Sequence, residues 1–172
     1  MFKVFIDGAH GTTGLRINEY LAGRPDISVL EIDPELRKDT EARISMIKQA
    51  DVSILCLPDQ ASKEIAAAAP SDSVIIDTST AHRTDPSWVY GMPELTEEQR
   101  EKIRSSTRIA NPGCHASGFI LLVRPLIEAG LLDREALLTC FCVTGYSGGG
   151  KKMIADYESD DRPAVLDSPG QY

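Results

Sequence analysis

Two stretches of this chain carry residues suited to chemistry. In the first, Asn111-Pro112-Gly113-Cys114-His115-Ala116-Ser117-Gly118, a cysteine stands at the start of an apolar run with helical spacing. Free backbone N–H groups and the positive end of a helix dipole favour a thiolate over a thiol there, so Cys114 is a candidate nucleophile; the alternative is a small packing residue. The second stretch is Gly8-Ala9-His10-Gly11-Thr12-Thr13-Gly14, directly after the strand-like residues 3–7. A glycine-rich loop between a strand and a helix lets backbone N–H groups approach a pyrophosphate, although the same glycines would serve a plain tight turn. The spacing is G-x-x-G-x-x-G and lacks the usual G-x-G start. A nucleophilic thiolate beside a nicotinamide points to one reaction class, in which sulfur captures an acyl or carbonyl carbon and hydride passes to or from the adduct.

The residue that selects NAD or NADP should lie at the end of the second strand, about twenty positions beyond the loop. Asp33 stands there and suits a ribose hydroxyl, while Arg37 and Lys38 follow closely and suit an added phosphate, so spacing leaves the choice open. Cys140 and Cys142 read as packing residues on one face of a strand, no zinc-type spacing exists, and no metal is expected.

These residues need a scaffold, and the chain is long enough for one. It has 172 residues, 42% of them hydrophobic, and a net charge of −8 without a Lys/Arg-rich run, which argues against nucleic acid as the main partner. The N-terminus lacks the pattern of a secretory signal, no stretch is apolar enough to span a bilayer, and four scattered cysteines read as reduced thiols. A cytoplasmic protein with no membrane partner is therefore expected.

Strand-like runs at residues 3–7, 27–32, 52–57 and 74–77 alternate with helical patterns at 13–22, from Thr40, and after Asp59. That rhythm predicts an α/β fold with a doubly wound, Rossmann-like parallel sheet. Beyond Asp77 the chain turns polar; a charged helix is expected at 95–104, a strand at 108–110, an apolar helix at 116–129 bent at Pro125, and a strand at 138–143 opening a second α+β domain. The tail from Gly145 to Tyr172 shows little apolar periodicity. The division is residues 1–113 for the cofactor and 114–172 for the cysteine helix and an incomplete second domain.

The Gly8–Gly14 loop, Arg37-Lys38-Asp39, Leu57-Pro58-Asp59, Asp77-Thr78-Ser79-Thr80-Ala81-His82-Arg83, Tyr90-Gly91-Met92-Pro93-Glu94-Leu95, Asn111–Gly118 and Gly145-Tyr146-Ser147-Gly148-Gly149-Gly150-Lys151, taken in order, resemble N-acetyl-gamma-glutamyl-phosphate reductase in its shorter variety. The resemblance covers essentially the whole chain. It implies reduction of N-acetyl-L-glutamyl 5-phosphate to the 5-semialdehyde in arginine biosynthesis, with NADP(H) as cofactor and Cys114 as nucleophile. It also implies cofactor contacts from Gly8, His10, Gly11, Thr12, Thr13 and Gly14, from Arg37, Lys38, Leu57 and Pro58, and from Ser79, Ser147 and Gly148. Arg83 and Asn111 would face the substrate.

The bland alternatives are a structural loop arginine at Arg83 and a flexible glycine turn at Ser147–Gly149. Family chains are nearly twice as long, and their general acid/base histidine lies beyond Tyr172. Of His10, His82 and His115, His82 is the least unsuitable substitute, and all three are expected to be structural or cofactor-contacting. The resemblance further implies a homo-oligomer, dimer or tetramer, in the complete protein. An aspartate-semialdehyde dehydrogenase-like enzyme and a catalytically silent NADP-binding fragment are the competing expectations.

Overall fold

The computed structural model describes residues 1–167; the end of the expected second domain, after Asp167, lies outside the described residues. Six strands, β1 (Phe2–Asp7), β2 (Ile27–Leu30), β3 (Val52–Leu55), β4 (Ile75–Asp77), β5 (Val89–Tyr90) and β6 (Arg108–Ala110), form one sheet in the order β2-β1-β3-β4-β6-β5, with every pairing parallel. Helices α1 (Thr12–Ala22), α2 (Thr40–Gln49), α3 (Asp59–Ala68) and α4 (Gln99–Ser105) lie between strands, and α5 (Cys114–Glu128) and α6 (Gly150–Glu158) follow the sheet.

Right-handed crossovers place α1 on one face of the sheet and α2 and α3 on the other. The core agrees: Phe5, Leu55 and Ile75 of the strands pack with Ile47 of α2 and with Ile65 and Ala66 of α3. The alanines of α3 let it lie close to the sheet, and Ala69 ends it one residue before Pro70. Along the carboxyl ends of the strands, Asp7, Leu55, Asp77 and Ala110 stand in register. Two carboxylates therefore sit at the rim of an otherwise apolar face. The chain leaves β1 toward β2 and returns across it to β3, so the direction reverses beside β1, where open α/β sheets bind ligands.

Several local expectations change. The cap of α2 is Asp39, whose Oδ1 accepts the Ala42 N–H at 2.7 Å, and Thr40 is the first helical residue. Helix α4 starts at Gln99, four residues later than its charge pattern suggests, because residues 92–98 form turns. Helix α5 begins at Cys114 itself and runs through Pro125. Residues 138–143 form no strand: Phe141 and Val143 are 89% and 83% exposed, and no described strand follows β6 to pair with them. The tail, in which little apolar periodicity was read, contains α6, which carries Met153, Ile154 and Tyr157 on one side.

Candidate active site

The strand-to-helix turn after β1 is built from glycine for reasons visible atom by atom. Gly8 has φ +85°, and a Cβ there would lie 2.3 Å from the Cys56 carbonyl oxygen; at Gly14 it would lie 2.4 Å from the Gly8 oxygen. Gly8 thus lets β1 and the chain after β3 approach, and Gly14 lets α1 pack onto the turn. The Gly11 N–H donates to the Gly8 oxygen at 2.9 Å, Gly11 precedes α1, and no side chain caps that helix. The amides of Thr12, Thr13 and Gly14 are left in the position that favours an anion.

A cleft of about 740 Å³ opens beside this turn. Its lining includes Gly8, His10 and Gly11 of the turn, Leu30 and Ile32 at the end of β2, and Arg37 and Lys38. Asp33 does not line it; its Oδ1 accepts the Glu35 N–H at 2.9 Å, which makes it a turn residue here. The charged lining residues not assigned a site role from the sequence are Asp7, Glu31, Arg43 and Lys151 of α6. Lys151 stands in the glycine-rich motif, so a basic residue closing that motif was the available signal.

Asp7 is buried, with Oδ1 3.5 Å from Arg43 Nε and Oδ2 without a hydrogen-bond partner among the described residues. Burial pushes its carboxyl up to about 6, against the opposing pull of the Arg43 guanidinium and the Gly8 N–H. A carboxyl raised by folding contributes stability that is complete below its ordinary value of 3.8 and is lost as pH rises through about 6. Thermal unfolding at intervals from pH 4 to pH 7 is expected to show that decline, on the order of 3 kcal/mol for this shift. Asp7→Asn should flatten it, and an unchanged slope would contradict the assignment to Asp7.

The second cluster lies at the ends of β4 and β6. Asp77 is fully buried: Oδ1 accepts from Ser62 Oγ at 2.8 Å and the Ser79 N–H at 3.0 Å, and Oδ2 accepts from Ser79 Oγ at 2.7 Å and lies 2.6 Å from His82 Nδ1. The His82 ring stacks on Trp88 at 4.0 Å. His82 is thereby held on two sides, a structural arrangement, and the Ser79 hydroxyl is committed to Asp77.

Arg83 Nε donates to the Asn111 carbonyl at 3.0 Å and Nη2 to the Thr78 carbonyl at 3.0 Å. A Cβ at Gly113 would lie 2.9 Å from Arg83 Nη1, so the guanidinium crosses close over this glycine. The Asn111 N–H donates to the Asp77 carbonyl at 2.8 Å. Arg83 and Asp77 together fix the segment that delivers Cys114 to the first position of α5, where it is exposed. Asn111 Nδ2 donates to the Pro112 carbonyl at 3.1 Å.

The cysteines separate by environment. Burial pushes the Cys56 thiol up to about 11, which makes it inert near neutrality. Cys140 and Cys142, in irregular chain instead of the expected strand, have sulfurs 3.3 Å apart, and that hydrogen bond raises the Cys142 thiol. Leu57 packs on the core and Pro58 caps α3; neither lines the cleft. Ser147 and Gly148, in a short 3₁₀ turn at Tyr146–Gly149, do not line it either. His10 lines the cleft, and His115 follows Cys114 on α5. No group of three or more metal-ligating side chains occurs among the described residues.

A parallel sheet with a glycine turn at its reversal point, followed by a cysteine at a helix start, is the arrangement against which the comparisons with known proteins are set. Two family models match the chain: "Semialdehyde dehydrogenase, NAD binding domain" over residues 30–103, and "Semialdehyde dehydrogenase, dimerisation domain" over 114–166. Its curated relatives are N-acetyl-gamma-glutamyl-phosphate reductases. The protein of that name from Rhizobium meliloti is 47% identical over 97% of this chain, and N-acetyl-gamma-glutamyl-phosphate reductase 2 from Pseudomonas putida is 47% identical over 96%. The chain spans about half the length of these relatives, 54% and 52%.

Among solved structures, aspartate semialdehyde dehydrogenase II from Vibrio cholerae, complexed with ASA, matches all of this chain and 55% of its own, with a TM-score of 0.66 at 18% identity. Aspartate semialdehyde dehydrogenase with NADP from Candida albicans matches 77% of this chain and 48% of its own, with a TM-score of 0.54 at 15% identity. At these identities the likeness is one of fold.

Proposed function

We infer that the complete protein reduces N-acetyl-L-glutamyl 5-phosphate to the 5-semialdehyde with NADPH, as a step of arginine biosynthesis in the cytoplasm. The observation that carries this reading is the 47% identity to reductases of that name across 97% of the chain. The position of Cys114, exposed at the first residue of α5, agrees with it.

The glycine turn, the uncapped start of α1 and the cations at Arg37 and Lys38 fit a phosphorylated dinucleotide, and Asp33 is turned to its own loop. When bound, the cofactor supplies hydride to the carbonyl carbon. Cys114 supplies the rest: its thiolate attacks the acyl-phosphate carbonyl, phosphate leaves, and a thioester forms. After reduction, the thiohemiacetal releases aldehyde and restores the thiolate. Residues 1–113 serve the cofactor, 114–172 carry the nucleophile and begin the dimerisation domain, and the complete protein is a homo-oligomer. Arg83 holds the loop before Cys114, and its guanidinium is the proposed partner of a substrate carboxylate or phosphate. No described helix is long and apolar enough to cross a membrane.

The test runs the reaction backwards: phosphate-dependent reduction of NADP⁺ by the 172-residue chain with N-acetyl-L-glutamate 5-semialdehyde. A clear rate fixes the substrate. Absence of a rate from a chain that binds NADPH favours a cofactor-binding unit that lacks its acid/base group, consistent with a His82 held by Asp77 and Trp88.

A further inference from the structure

We propose that Arg43 is the positioning residue that makes the cleft selective for a dinucleotide carrying an additional phosphate, by offsetting the buried Asp7 and fixing the loop that presents Arg37 and Lys38. The proposal rests on the reading of the cleft as a nicotinamide-dinucleotide site.

The cleft contains a carboxylate where a polyanion must approach. Asp7 is 3% exposed at the end of β1, and its Oδ2 has no hydrogen-bond partner among the described residues. The groups that face it are the Gly8 N–H, the Cys56 thiol beyond β3, and Arg43 from α2; the cation among them is Arg43, with Nε 3.5 Å from Oδ1. Removal of that guanidinium takes away the charge that opposes the desolvation of Asp7 in the floor of a site meant for phosphates.

The same Nε donates to the Arg37 carbonyl at 2.7 Å. The loop from residue 31 to residue 39 contains no helix or strand, and its turns are closed by the Leu36 N–H to the Asp33 carbonyl and the Asp39 N–H to the Leu36 carbonyl. Arg43 is the side chain that ties this loop back to β1. Arg37 and Lys38 are exposed and line the cleft, so their reach toward a phosphate depends on where their backbone is held. One side chain, mostly buried at 14% exposure, therefore sets both the charge of the floor and the placement of the cations at the rim. The Nε hydrogen goes to the Arg37 carbonyl, so Asp7, 3.5 Å away, meets the guanidinium through its charge.

Dissociation constants for NADPH and NADH, measured by fluorescence on the purified 172-residue chain, test the proposal without requiring turnover. Arg43→Met is expected to weaken NADPH by about ten- to a hundredfold and NADH far less, in line with loss of a charge-assisted interaction. Arg43→Lys should fall between, and Asp7→Asn added to Arg43→Met should recover part of the NADPH affinity. Equal weakening of both cofactors, or an unchanged preference, would overturn the role of Arg43. If Arg43→Met does not fold by circular dichroism, Arg43→Lys decides: a wild-type ratio of NADPH to NADH affinity sinks the proposal. Failure of the wild-type chain to bind either cofactor overturns the reading of the cleft itself, and the proposal with it.

Discussion

Cys114→Ala in the complete protein lowers phosphate-dependent NADP⁺ reduction by at least about 10³-fold, the scale of losing a covalent nucleophile, while NADPH binding stays within about twofold. The expectation follows from where the sulfur sits. Cys114 is exposed at the first residue of α5, and Gly113 before it offers no side-chain cap. Cys56→Ala is the matched control, since burial holds that thiol at about 11 and keeps it protonated. Steady-state rates together with cofactor titrations check both variants. Substantial turnover by Cys114→Ala would remove the thioester mechanism, whatever the substrate.

Gly8→Ala produces the second large effect, a loss on the order of 3–5 kcal/mol in stability with a parallel loss of cofactor binding. Two costs combine at one atom. The backbone at φ +85° disfavours any side chain, and the new Cβ would lie 2.3 Å from the Cys56 carbonyl oxygen, a backbone atom held in the β3 segment by the Cys56 N–H to the Asp7 carbonyl. Gly23→Ala provides the comparison, because its φ is −85° and nothing lies within 4 Å of the added methyl. Urea unfolding should show a small gain or no change for Gly23→Ala. Similar midpoints for the two variants would show that the turn yields more easily than its geometry implies.

The sheet was legible because buried parallel strands are short Val/Ile runs, and four of the six stand out between helical patterns. Arg108–Ala110 was legible as well, from the same kind of run. Val89–Tyr90 was not: two residues at a sheet edge, in a polar segment, carry no periodicity. The strand expected at 138–143 has suitable residues, but strands form by pairing and no described partner exists for it.

At the site, types and spacing marked the Gly8–Gly14 turn, Arg37, Lys38 and Cys114. Arg43 and Asp7 escaped notice because each reads as an ordinary element residue, one on a helix and one closing a strand; their meeting depends on α2 crossing to the face on which Asp7 points. Ser79 illustrates the converse. The resemblance implied a cofactor contact from it, while the fold turns its hydroxyl to Asp77.

The strand order carries a consequence for assembly in time. No two neighbouring strands of this sheet are joined by a hairpin, and the earliest strand made is also an interior one: Val4 pairs with Val29 on one side and Val52 on the other. The last registers, Ile76 with Ile109 and Val89 with Ile109, wait until β6 exists. A chain growing from its N-terminus therefore holds β4 and β5 without their shared neighbour until residue 109 is available. High contact order of this kind slows folding, and the strand that completes the sheet leads within four residues to the helix bearing Cys114. The nucleophile is thus set in place only after the cofactor half has closed behind it.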